Sequence, residues 1–225
     1  MRRYLRFTGS TRESGRWCRR ILAPGLLVLG ACTIGPPPKD PPATYDLGPP
    51  GAGAAANPGL RATLLVPSIA APVWLDHAGI AYRLGYHDLA RHQVYANSRW
   101  VAAPAALLTQ RLRNRISAVA AGVVTSGEGV RADYALHLEL EDFSQFFETP
   151  ATSRVSVAAR ASLVRISDRS LRAQRSFAVQ RSAAPDAAGA VAALGEASDE
   201  LIRELLQWTA ENLGADRRTH GKSAE

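Results

Sequence analysis

Tyr134-Ala135-Leu136-His137-Leu138-Glu139-Leu140-Glu141 sets Tyr134, Leu136, Leu138 and Leu140 against Ala135, His137, Glu139 and Glu141. Successive side chains of a strand point to opposite faces, so this period of two predicts a half-buried strand with its leucines inward, reaching Phe143. Downstream, Val155, Val157, Ala159, Ala161 and Leu163 repeat the pattern, with Arg160 and Ser162 facing away. Ser167-Asp168-Arg169-Ser170 supplies turn residues. Leu171, Ala173, Phe177 and Val179 then return the chain on one face, where Arg175 marks a bulge or a sheet edge. The pair is a hairpin. After Pro185 and Asp186, a proline and a good N-cap, Val191, Leu194, Leu201, Leu205 and Trp208 space out a long amphipathic helix ending near Gly214.

Upstream of the leucine strand, residues 60–67, 79–83 and 93–100 are short runs rich in Leu, Val, Ile and Tyr, and read as strands. Thr44-Tyr45-Asp46-Leu47, bounded by prolines, reads as a short edge strand. Pro104 suits the first helical position, and Leu108, Leu112, Ile116 and Val119 follow at helical spacing, with Gly122 as the stop. Arg111 and Arg115 fall on the opposite side, either as a solvated face or as a patch for anionic head groups or a partner. The expected fold is α+β: a mainly antiparallel sheet of about six strands with both amphipathic helices packed on one face.

The chain has 225 residues and a formal net charge of +7. Seven arginines against Glu13 lie in the first 31 residues, which leaves the remainder nearly neutral. A near-neutral body has no chain-wide attraction for polyphosphate, so nucleic acid is not an expected partner. Arg19-Arg20 precede Ile21 to Ala31, an apolar run too short to cross a bilayer. Leu29-Gly30-Ala31-Cys32 closes it as a lipobox would: small side chains let a protease reach the backbone, and the Cys32 thiol accepts diacylglycerol before becoming the first residue. Cys18 leaves with the leader, so the mature chain holds no second cysteine for a disulfide. Several acyl chains on one residue, each buried methylene contributing about 0.8 kcal/mol, hold a protein to a membrane lastingly.

These readings divide the chain into a signal peptide (1–31), a lipidated tether with a short strand (32–59), the folded domain (60–214) and a flexible polar tail (215–225). Eight prolines and five glycines among residues 32–59 favour an extended tether over a packed core.

The five histidines, at 77, 87, 92, 137 and 220, show no metal-binding spacing, and neither a nucleophile elbow nor a phosphate-binding loop is present; Ser126-Gly127-Glu128-Gly129 reads as a turn. No catalytic residue, metal or cofactor is expected. Glu139 and Glu141 stand roughly 7 Å apart on one strand face, the superficial geometry of a carboxylate pair in a hydrolase. Phe143, Phe146 and Phe147 are the densest aromatic cluster, read as core packing or as the lining of a lipid cavity.

Taken in order, the lipobox, Tyr45-Asp46-Leu47, Pro72-Val73-Trp74-Leu75-Asp76, Ile80-Ala81-Tyr82-Arg83, Tyr95-Ala96-Asn97-Ser98-Arg99-Trp100, the leucine-rich helix and the Tyr134–Phe143 strand resemble the auxiliary lipoproteins of ABC-type transport systems that work with mammalian-cell-entry (MCE) proteins. Trp74 departs from the tyrosine expected before that leucine. The resemblance implies a non-enzymatic subunit of a phospholipid-transport apparatus that supports membrane integrity. An inner-membrane ATPase and permease connect there through an MCE-domain protein to the outer membrane. Thr33, where an aspartate would favour inner-membrane retention, implies an anchor on the periplasmic face of the outer membrane. Homo-oligomerisation is left open. Tyr82, Arg83, Arg99 and Trp100, residue types that dominate interaction hot spots, are the expected partner-binding set, with core packing as the alternative for Tyr82 and Trp100. A lipid-carrier module is the alternative function, and a periplasmic hydrolase built on Glu139 and Glu141 ranks behind it.

Overall fold

In the computed structural model, residues 41–51 and 59–221 are described. The leucine strand becomes β6 (Tyr134–Thr149), the longest of eight strands in one sheet. Along one edge it pairs over its full length with β7 (Thr152–Arg165), which pairs in turn with β8 (Ser170–Ala183), both antiparallel. Its other edge is shared in series. β2 (Leu60–Leu65) lies opposite Tyr134 and Ala135, a single bridge joins Ala70 to Glu139, and β3 (Gly79–Leu84) lies opposite Gln145 to Phe147, all parallel. β5 (Ala120–Val124) adds parallel to β2, β4 (Asp88–Trp100) antiparallel to β3, and β1 (Ala43–Tyr45) parallel to the end of β4.

The antiparallel six-strand sheet expected from sequence is therefore corrected to a mixed sheet of eight. β5 was hidden because Ala120-Ala121-Gly122-Val123-Val124 carries no alternation. Gly122, expected to stop the first helix, lies inside that strand, and the helix has already ended at Ser117. Parallel pairing is a property of distant segments, which local periodicity does not encode.

β6 runs past Phe143 because a bulge resets its phase. Leu140 pairs with Ala159 but Asp142 pairs with Ala158, leaving Glu141 as the extra residue. Leu136, Leu138 and Leu140 before the bulge, and Phe143, Gln145 and Phe147 after it, are then all buried. A second slip on β8 inserts Arg172 between the Ala173–Leu163 and Leu171–Val164 pairs, so Leu171 turns away from the face expected for it and is 57% exposed. Arg175 does lie on the edge strand, 5.0 Å above the Phe177 ring.

Both helices cover the face presented by the leucines. α1 (Pro104–Ser117) buries Leu108, Leu112 and Ile116, and α2 (Ala187–Gly221) buries Leu194, Leu201, Ile202, Leu205 and Trp208. Leu108 and Leu112, Leu201 and Ile202, and Leu138, Leu140 and Ala159 of the sheet surround one void of about 10 Å³, so the layers interlock. Asp186 caps α2 by accepting the Gly189 N–H at 2.7 Å. The helix continues through Gly214, its expected end, to Gly221; one glycine weakens a helix by about 1 kcal/mol and is not by itself a stop. No described helix is long and apolar enough to cross a membrane.

Candidate interaction surface

Among the described residues, the strap by which the chain enters the body and the β3–β4 hairpin hold the sequence-predicted site residues or border them. Leu29, Gly30, Ala31 and Cys32 lie outside the described residues.

The strap is Ala43 to Gly51. Arg111 is 8% exposed and donates from Nε and Nη2 to the Asp199 carboxylate, both at 2.7 Å, and from Nη1 and Nη2 to the carbonyls of Leu47, Gly48 and Pro49. Asp199 also accepts the Gly51 N–H at 2.7 Å. Burial opposes ionisation of Asp199, but the hydrogen bonds from Arg111 and Gly51 outweigh it and hold the carboxyl below its ordinary value. A Cβ on Gly195 would sit 2.6 Å from the Leu47 carbonyl, so only glycine lets α2 pass this close. The expected solvated or head-group-facing role of Arg111 is thus corrected: it fastens the strap to both helices. Its position, one turn from Leu108 on the border of the apolar stripe, was the signal available in the sequence.

The hairpin has two dissimilar faces. Toward the helices, the Tyr82 hydroxyl donates to Gln93 Oε1 at 3.1 Å, and the Tyr95 hydroxyl donates to Gln145 Oε1 at 2.6 Å. Gln145 is fully buried and passes its own amide protons to Ser153 Oγ and the Ala184 carbonyl. Burial, with Asp186 and Tyr82 nearby, pushes the Tyr95 phenol up to about 12, which keeps it a donor. The Tyr82 ring lies 4.8 Å from Tyr95 and 5.9 Å from Phe147.

The opposite face is apolar and open. Trp74, in a 3-10 turn (Val73–Leu75), stacks 4.4 Å from His92, and the Arg83 guanidinium sits 5.7 Å above the Trp74 ring. Val73, Trp74, Tyr86, Leu89 and Val94 are five of the nine exposed large hydrophobics among the described residues, so exposed apolar side chains are concentrated in the hairpin and the turn that precedes it. Burial and the Arg83 charge, outweighing Asp142, hold His92 below its ordinary value and favour its neutral form. Beside the patch, Arg83, Leu89, Phe146 and Arg154, together with the carboxylates of Glu141 and Asp142, line an open groove of about 390 Å³. A Cβ on Gly85 would strike the Phe146 ring at 2.3 Å, so glycine lets the hairpin lie flat on β6.

The expected partner-binding residues separate accordingly. Arg83 lies in the open face, Arg99 is exposed beside β1, and Tyr82 belongs to the inner network. Trp100 is a correction: at 1% exposure, edge-on to Phe143 at 5.7 Å, it is core. Phe143 and Phe147 pack inside, and Phe146 is held between Gly85 and Arg154, so the three line no common cavity. Glu139 and Glu141 both reach Arg160, at 2.9 and 3.6 Å, as an exposed cross-strand ion pair rather than a carboxylate pair in a cleft. Among the described residues no group of His, Cys, Asp and Glu has metal-binding geometry. Sequence reading left Trp74, Leu89 and Val94 out of the partner-binding set, because nothing in their local pattern distinguishes an exposed apolar side chain from a buried one.

The chain belongs to the ABC-type transport auxiliary lipoprotein component family, whose model matches residues 45–205, from β1 well into α2. In fold it is similar to a Xanthomonas campestris protein of the DUF330 family, at 22% identity and TM-score 0.64, over 79% of this chain and 97% of that one. It is also similar to an uncharacterised protein of known structure, at 16% identity and TM-score 0.58, over 76% and 99% of the two chains. No curated protein matches the sequence.

Proposed function

We propose that this protein is a docking subunit of an MCE-type ABC phospholipid transporter, anchored through acylated Cys32 to the periplasmic face of the outer membrane. The observation that carries this reading is the family match, which takes in nearly every element of the folded body. The body then acts by contact. It holds an MCE-domain protein, and through it the permease and ATPase, at the membrane to which the lipid is delivered or from which it is taken. The lipobox and Thr33 support the anchor and its location, and the buried strap supports a tether that transmits position to the body rather than hanging from a loose end.

The test is crosslinking in intact cells followed by purification of this protein. An MCE-domain protein among the captured partners is the expected result. Its absence, with the protein itself recovered from the outer membrane, overturns the docking role.

A further inference from the structure

The open face of the hairpin has no folding role that requires Trp74, Leu89 and Val94 to be exposed, and the topology says which way it points. β1 is parallel to β4, with Ala43 opposite Ser98 and Tyr45 opposite Trp100. The chain therefore enters β1 from the Asp88 end of β4, the end that carries Leu89 and the Trp74–His92 contact. Arg111 and Asp199 fix the strap, so the usable tether is Cys32 to Pro42, eleven residues that extend to no more than about 36–40 Å. The strand from Ser98 back to Leu89 covers about 30 Å at about 3.3 Å per residue. An acyl anchor at Cys32 thus reaches about as far as the hairpin tip.

We propose that the outer face of the β3–β4 hairpin rests on the phospholipid surface to which Cys32 is anchored, forming a second, noncovalent membrane contact that orients the body. This rests on the anchor assigned above. The chemistry fits an interface: Trp74 and Tyr86 are the amphipathic rings that settle at head-group depth, and Leu89, Val73 and Val94 supply apolar area. Arg83 and Arg99, without ion-pair partners among the described residues, meet lipid phosphates. A chain tethered at one residue swivels; a second contact removes that freedom.

The experiment is tryptophan quenching on membrane-extracted protein reconstituted in phosphatidylethanolamine–phosphatidylglycerol vesicles that carry doxyl-labelled lipid. Without the leader the chain has Trp74, Trp100 and Trp208, and the last two are only 1% and 7% exposed, so quenchable emission reports Trp74. Doxyl lipid is expected to quench the wild type, Trp74→Phe to lose the quenchable fraction, and Leu89→Asp to lose more than half of it. Absent quenching overturns the proposal, as does equal quenching in Leu89→Asp, which would signify tether proximity alone. Shielding of Trp74 only when an MCE-domain protein is added overturns it too, and assigns the face to a protein. Intact mass of the same sample separates the anchor from the contact. If Cys32 is unmodified, coupling a chain that begins there to a maleimide lipid supplies the tether, and the quenching outcomes keep the same meanings.

Discussion

The two faces of the β3–β4 hairpin depart from the usual arrangement: the side carrying Tyr82, Gln93 and Tyr95 is half-buried and hydrogen-bonded within the protein, and the side carrying Val94 and Leu89 is open. On the inner face Tyr82, Gln93, Tyr95, Gln145 and Ser153 find partners for their polar groups within the protein, so that face is closed to outside contact by its own hydrogen bonds. On the outer face Val73, Trp74, Leu89 and Val94 gain little from folding and remain available. A satisfied network gives shape, and an unsatisfied apolar face gives affinity. The family resemblance singled out this stretch of chain, and the pleat divides it between these two environments.

The largest effect belongs to the centre of the inner face. Gln145→Leu leaves the Tyr95 hydroxyl, Ser153 and the Ala184 carbonyl short of a partner, and denaturant unfolding should show a loss of about 2–3 kcal/mol. A change near zero would mean that the network is incidental to folding.

The same contrast between closed and open holds for charge, and it can be sharpened with pH. Asp199→Asn breaks a buried pair and should cost about 2 kcal/mol or more near neutrality, whereas Arg160→Ala, on the exposed pair with Glu139, should cost less than about 1 kcal/mol. Because folding lowers the Asp199 pKa, its contribution is complete above the unfolded value and is lost as pH falls through the folded one. The gap between wild type and Asp199→Asn should stay level down to about pH 5 and close below about pH 4, as followed by thermal melts across that range. A gap that widens on acidification would contradict the geometry of the strap.

Smaller again is Tyr95→Phe, which removes one hydroxyl from Gln145 and should cost about 1 kcal/mol by the same unfolding assay. Smallest is Leu89→Ser on the outer face, expected within about 0.5 kcal/mol of wild type. A loss there as large as that of Gln145→Leu would make the outer face part of the fold and remove the distinction.

What the sequence revealed followed its periodicity. The β6–β8 meander, its Asp168 turn, the Asp186 cap and the leucine faces of both helices were legible because each is a local pattern of side chains. Ser144 to Thr149 was lost because one bulged residue, Glu141, shifts the phase of the alternation. β5 was lost for want of any pattern, and the parallel pairings were lost because they join segments far apart in the chain. Arg111 looked solvated since its partners, Asp199 and the Leu47–Pro49 carbonyls, come from elsewhere. Trp100 looked like a hot spot for the same reason that it is core: a large aromatic ring serves either purpose, and only burial decides between them.

All of the geometry around the strap gains its meaning from what is joined to the other end of the tether. Intact-mass spectrometry of the protein extracted from membranes tests that most directly. The expected mass is that of a chain beginning at Cys32 and carrying diacylglycerol and a further acyl group. A chain that retains residues 1–31, with a free thiol at Cys32, would contradict the account.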